Sequence, residues 1–265
     1  MAIRKAYADT PAGQVHYRFQ EGPGTALVFL HRTPSSSFSF EPVMAAMDGE
    51  RAIYAFDTPG FGGSFDPTGP ADISDYRDWM LAAIDAAGIA RCHLYGHHTG
   101  THIAAEIAAA RPGLVASLML NGVAYLDDAE REQFRSQVGT APQPDPEGAY
   151  LLPVFQLMKS LFPAWNAELV HREFTGAMRS THTRDFAFQA IWNQDFPAVL
   201  SQTRCPVLAL SCSDDFFAPY LDRVPQGHPG AKTVVQGQGI VAAPEWDTDN
   251  TVRIVRDFIN EVENG

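Results

Sequence analysis

The 265-residue sequence predicts an α/β fold, a mostly parallel sheet flanked by helices with a helical cap inserted late in the chain. Three observations carry that prediction. Through the first half, short apolar runs of strand length alternate with amphipathic segments of helix length, the rhythm of β-α-β units with right-handed crossovers. From about Tyr125 to Gln202 the rhythm stops, and the chain becomes helical or irregular and rich in aromatic residues. It resumes with the strand "CPVLALS" and ends on an amphipathic helix.

The elements follow in order. Val15 to Arg18 reads as a strand, and "ALVFLH" (26–31) as a second whose unbroken apolar run fits burial on both faces of a sheet. "RTPSSSFSF" is a loop, and "EPVMAAM" a short helix opened by Glu41 and Pro42. "RAIYAFD" is the next buried strand, closed by the glycine-rich "TPGFGGS". "DISDYRDWMLAAIDAAGI" places Tyr76, Met80, Ile84 and Ala87 on one helical face and stops at Gly88. "CHLYG" is a strand, "THIAAEIAAARPG" a helix ended by Pro112, and "VASLMLNG" a strand again. The core is therefore expected over 1–124 and 203–265, with a cap over 125–202. The cap holds the loop "TAPQPDPEG" and the aromatics Phe155, Phe162, Trp165, Phe174, Phe186, Phe188, Trp192 and Phe196. After it come "CPVLALS", a weaker strand "KTVVQG" and the helix "DNTVRIVRDFINEV". A helical insertion between parallel strands is expected to lie over their C-terminal ends, where open α/β sheets bind ligands.

Composition bounds the function. An apolar content of 45% supports a sizeable core, and a formal charge of -12 with no Lys/Arg cluster argues against a nucleic-acid partner. The N-terminus lacks a signal-type apolar stretch and no window is apolar enough to span a membrane, so a cytoplasmic protein with no membrane partner is expected. Cys92, Cys205 and Cys212 are too few and too irregular for a disulfide framework; the first two read as core residues and Cys212 sits at a strand end. A soluble protein acting on a small molecule is the expectation, and a homodimer stays open.

Four motifs in order, "LHRTP" (30–34), "DTPGFGGS" (57–64), "GHHTG" (96–100) and "PVLALSCSDDFFAP" (206–219), resemble the α/β-hydrolase superfamily over nearly the whole chain. The resemblance implies an α/β-hydrolase fold and a nucleophile elbow, a sharp strand-turn-helix whose central residue takes a positive φ. Gly96 and Gly100 meet its need for small flanking residues. The family's serine, however, is replaced by His98. His97 matches a residue that packs structurally. The family's acid corresponds to Asp215, four residues before Pro219, with Asp214 as its competitor. Its histidine, expected in a G-x-G-H setting with Glu245 five residues on, is replaced by Ile240. The two changes read as one event, the imidazole having moved to the elbow.

Three roles for His98 compete: general acid or base oriented by Asp215, nucleophile forming an acyl-imidazole, or inert residue in a ligand-binding protein. The resemblance implies an oxyanion hole from the N–H of Thr99 and of the loop at His31-Arg32. The Arg32 guanidinium at the rim would suit a carboxylate or enolate, unless it only pairs with an acid such as Asp57. His31 is expected to be structural. Ile240 and Trp192 are candidate pocket walls, and cap residues His171 and His182 are expected to be solvated. His102, four residues after His98, invites a metal reading, but no third ligand stands at a recognisable spacing, so no metal site is expected. The function these residues favour is a cofactor-free enzyme, a hydrolase of esters or lactones or a C–C/C–O lyase on a small apolar organic substrate. The alternative is an inactive pseudo-hydrolase serving as small-molecule receptor or scaffold.

Overall fold

The computed structural model describes residues 2–138, 140–162, 164 and 166–265. Eight strands form one sheet in the order β1-β2-β4-β3-β5-β6-β7-β8. They are β1 (Arg4–Thr10), β2 (Gly13–Gln20), β3 (Ala26–Leu30), β4 (Ile53–Phe56), β5 (Cys92–His97), β6 (Val115–Asn121), β7 (Val207–Cys212) and β8 (Lys232–Gln236). β2 runs antiparallel to β1 and β4, while β4, β3, β5, β6, β7 and β8 are mutually parallel. Every residue of β3, β5, β6 and β7 is buried, and these strands are mostly apolar in sequence, β3 without interruption and the others with a few buried polar residues such as His93, Ser117 and Asn121. β1 was not expected from the sequence. It buries only Ala8, so it carries no alternating pattern to detect.

Helices cover both faces. α1 (Glu41–Ala46) and the C-terminal α11 (Thr248–Asn264) lie on one; α2 (Ile73–Ala86) and α3 (Thr99–Ala110) lie on the other. Alternate residues of β3 supply both cores: Leu27 and Phe29 pack with Phe40, Val255 and Phe258, while Val28 and Leu30 pack with Ile84 and Ile103. Each such fully buried side chain is worth about 1.5–3 kcal/mol over an exposed one. α2 begins with the Asp72 N–H donating to Asp75 Oδ2 at 2.8 Å, and Gly88 (φ 75°) ends its final turn.

Between β6 and β7 the chain forms α4 (Asp128–Gln137), α5 (Leu151–Ser160), α6 (Ala167–Arg179), α7 (Arg184–Asn193) and α8 (Phe196–Leu200). α5 and α6 share a small core of their own around Val154, Met158, Phe162 and Val170. α7 and α8 pack on α3. Polar ties add to this: Thr183 Oγ1 donates to Gly60 O at 2.5 Å, and Arg179 pairs with Asp66 at 2.9 Å. Trp165, one of the expected cap aromatics, lies outside the described residues. α9 (Val224–Gly227) precedes β8, and α10 (Ala243–Trp246) precedes α11. No helix among the described residues is long and apolar enough to cross a membrane.

The parallel strands bring one set of loops together at their C-terminal ends. These carry His31–Thr33 after β3, His98 after β5, Gly122 after β6, Asp214–Asp215 after β7 and Ile240 after β8.

Candidate active site

The turn between β5 and α3 is sharp because two glycines permit it. A Cβ on Gly96 would fall 2.3 Å from Gly100 O, and one on Gly100 would fall 2.2 Å from Leu30 O. His98 between them adopts φ 47° and ψ -109°, a conformation that costs on the order of 1–3 kcal/mol and persists only where its surroundings enforce it. They do so from both sides. The His98 N–H donates to Asn121 O at 2.8 Å, and His98 O accepts from Thr101 N (2.8 Å) and Thr101 Oγ1 (2.6 Å).

The imidazole is held by Asp215, with Nε2 to Oδ2 at 2.7 Å. Asp215 Oδ1 accepts from Phe217 N at 2.8 Å, and its side chain is 1% exposed. An ionised carboxylate only accepts, so neutral His98 carries its proton on Nε2 and leaves a lone pair on Nδ1. Nδ1 makes no hydrogen bond to a described residue, and His98 lines the main cavity. The ring has Phe217 at a centroid distance of 5.5 Å. It also requires Gly122, where a Cβ would fall 2.5 Å from Nε2.

Asp214 has a different task. Its Oδ1 accepts from Gly239 N (3.0 Å) and Ile240 N (2.9 Å), pinning the loop after β8. Ile240 sits at φ 44°, unusual for a β-branched residue. The structure corrects the pocket reading here: Ile240 is half-buried outside the cavity wall, and its neighbour Val241 supplies the contact. The pinned N–H and the left-handed backbone account for the displacement.

Arg32 also departs from expectation. It is 2% exposed rather than on a rim, and its partner is Glu173 of α6 (Nη2–Oε2, 2.6 Å), not Asp57. Glu173 further accepts from Ser35 Oγ at 3.1 Å and from Arg172, which also binds Glu245. Although burial pushes the Glu173 carboxyl up, the two arginines hold it below the ordinary range. Glu245, buried beside Glu173, is pushed up to about 7. Asp57 instead accepts from His16 Nδ1 (2.8 Å), Ser37 N (2.7 Å) and Gly63 N (2.8 Å). Against the opposing effect of burial, these bonds hold it well below the carboxylate range.

His31 Nε2 accepts from Thr58 N at 2.9 Å, so its Nδ1–H donates to Arg32 O at 2.8 Å; it is a buried strut of the loop. Thr99 begins α3, where a backbone N–H has no intrahelical acceptor. Its Oγ1 accepts from Thr33 N at 3.1 Å. His97 packs with both ring nitrogens buried and unpartnered among the described residues, and burial drives its pKa well down.

A cavity of about 380 Å³ opens over His98, within the range of small-molecule sites. Phe134, Val138, Phe188, Trp192 and Phe217 give it a largely aromatic wall, so Trp192 is where the sequence placed it. His102 is also in the wall, its Nδ1 2.6 Å from Gln194 Oε1, and burial pushes it down to about 4, so it is neutral near pH 7. His171 on α6 and His182 between α6 and α7 are both exposed. Among the described residues, no three His, Cys, Asp or Glu side chains are grouped to hold a metal.

The alpha/beta hydrolase fold model matches residues 25–228. The chain belongs to the α/β-hydrolase family. A relative from Acinetobacter baylyi, the (E)-2-((N-methylformamido)methylene)succinate hydrolase, is 24% identical over 208 residues, covering 76% of each chain. The enol-lactonase from Burkholderia xenovorans LB400 is similar in structure, with a TM-score of 0.74 at 22% identity, covering 96% of this chain and 100% of that one. The solved E-2-(acetamidomethylene)succinate hydrolase gives 0.79 at 19% identity, covering 98% and 100%.

In this α/β hydrolase several site residues escaped the sequence reading. Gly122 ends the "NG" of a strand, a signal of a turn but not of a ring above it. Phe134, Phe217 and Arg184 reach the cavity from three separate segments. Burial pushes Cys92 and Cys212 up to about 12 and Cys205 to about 11, so all three remain thiols.

Proposed function

We propose that this protein hydrolyses esters or lactones of small, largely apolar organic molecules without a cofactor, using His98 and Asp215 in place of a serine triad. The observation that carries the reading is the 2.7 Å contact between His98 Nε2 and Asp215, which leaves Nδ1 as the unprotonated nitrogen of a ring lining the cavity. Nδ1 takes a proton from water as the water oxygen attacks the carbonyl carbon and the C=O π pair moves onto oxygen. Asp215 stabilises the imidazolium so formed. The Thr99 N–H at the start of α3, with the Arg32 N–H of the opposite loop, stabilises the oxyanion. As the C=O bond re-forms, the C–O bond to the leaving group breaks and its oxygen takes the proton from Nδ1. The Acinetobacter baylyi relative is a hydrolase, which favours hydrolysis over the C–C or C–O cleavage that the same base could begin.

The test is a panel of aryl esters and lactones assayed with wild type and His98→Ala. General base catalysis predicts a loss of roughly 100-fold or more in kcat/KM. Equal rates in the two proteins would remove His98 from the chemistry. Ligand binding with no turnover across the panel would make the protein a receptor.

A further inference from the structure

The walls of the cavity carry a charge pattern opposite to that of the chain. The chain has 31 acidic and 19 basic residues, yet among the described residues no Asp or Glu lines the cavity, whereas Arg32 and Arg184 do. A second cavity of about 220 Å³, also without a carboxylate in its wall, adjoins the first and shares Pro34, Leu157, Met158 and Arg184 with it. The Arg32 charge is balanced at 2.6 Å by buried Glu173. Arg184 stands at the junction of the two spaces.

We propose that the cavity takes an organic anion, an apolar or aromatic body bearing a carboxylate, and that Arg184 holds this carboxylate while the body lies along the aromatic wall. The inference rests on the reading of the cavity as the substrate site and adds the class of substrate. Arg184 is well placed for the task. It is the first residue of α7, and the preceding Thr183 fastens that end to the core through Gly60 O. Its guanidinium lies over the Phe188 ring, 4.9 Å from the centroid, so its plane is set before a ligand arrives. The pairing with neighbouring Asp185 is 3.2 Å long, and both oxygens of Asp185 also accept from Ala141 N. A guanidinium has five N–H donors in a planar fork, so contacts within the fold and a bidentate ligand carboxylate are compatible on one side chain. In this partly desolvated setting, a charge-assisted, bidentate pair is stronger than its solvated equivalent.

The experiment is calorimetric titration with phenylacetate and its neutral analogue phenylacetamide, which needs no turnover. Wild type is expected to bind phenylacetate at least about 10-fold more tightly than the amide. Arg184→Gln should remove that preference while leaving amide affinity in place, and Arg184→Lys should restore part of it. His98→Ala should keep the preference, so a failure of the catalytic reading stays distinguishable from a failure of this one. Equal binding of the two probes, no binding of either, a preference that survives Arg184→Gln, or one lost in His98→Ala would each overturn the assignment.

Discussion

Asp215→Asn changes the chemistry of the site with almost no change in shape. Phe217 N donates to Oδ1 at 2.8 Å, so the carbonyl oxygen of the new amide must face that N–H. Its NH2 group then points at His98 Nε2, which becomes an acceptor. The imidazole must move its proton to Nδ1, which can then no longer take one from water. Stabilisation of the imidazolium by a carboxylate 2.7 Å away is lost as well. Positioned general bases are worth about 10²–10⁴ in rate, or about 3–5 kcal/mol of barrier. Steady-state kinetics on a cleaved ester or lactone should therefore show kcat falling by about that factor, with KM little changed, because the cavity wall is untouched. A variant within about threefold of wild type, or one altered only in KM, would refute the argument that Asp215 sets the tautomer.

Three further predictions address the neighbourhood of the dyad. Gly122→Ala would place a Cβ 2.5 Å from His98 Nε2 at a residue with φ 67°. It should lower kcat by about 10²-fold or more and stability by about 1–3 kcal/mol, read by kinetics and urea melts. His98→Ser should not be labelled by a fluorophosphonate, because the new hydroxyl has no imidazole within reach to activate it, the family's histidine position being Ile240 outside the cavity wall. Glu245 supplies a pH test of stability. With its carboxyl raised from 4.5 to about 7 in the fold, the folded protein binds the proton more tightly, so stability should decline as pH rises from about 4.5 to 7 and then level off. At about 1.4 kcal/mol per pH unit this amounts to about 3 kcal/mol, and Glu245→Gln should remove that slope in melts across the range. The depressed Asp57 carboxyl acts in the opposite direction, its contribution being lost only as the solution becomes strongly acidic.

The fold was legible wherever a segment's burial is uniform or periodic. β3, β5, β6 and β7 bury every residue, and Tyr76, Met80 and Ile84 of α2 repeat on one face. β1 failed that condition. In the site, local geometry was legible and, apart from the pairing of His98 with Asp215, distant pairing was not. Gly96 and Gly100 announce the elbow because only small residues let a strand and helix turn so tightly. Asp214 and Asp215 are adjacent and chemically identical; spacing to Pro219 favoured Asp215 as the acid, whereas the role of Asp214 in holding the loop after β8 had no sequence signal. The partner of Arg32 lies 141 residues away on α6, beyond any spacing rule. Arg184 gave no motif at all, since its place in the cavity wall depends on how α7 packs against α3.

The central claim is that His98 presents an unprotonated Nδ1 to the cavity because Asp215 holds the proton on Nε2. ¹⁵N NMR of histidine-labelled protein measures this directly, since protonated and unprotonated ring nitrogens resonate far apart. Neutral His98 is expected to show a pyrrole-type Nε2 and a pyridine-type Nδ1, and Asp215→Asn to exchange the two. A pyridine-type Nε2 in the wild-type protein would contradict it.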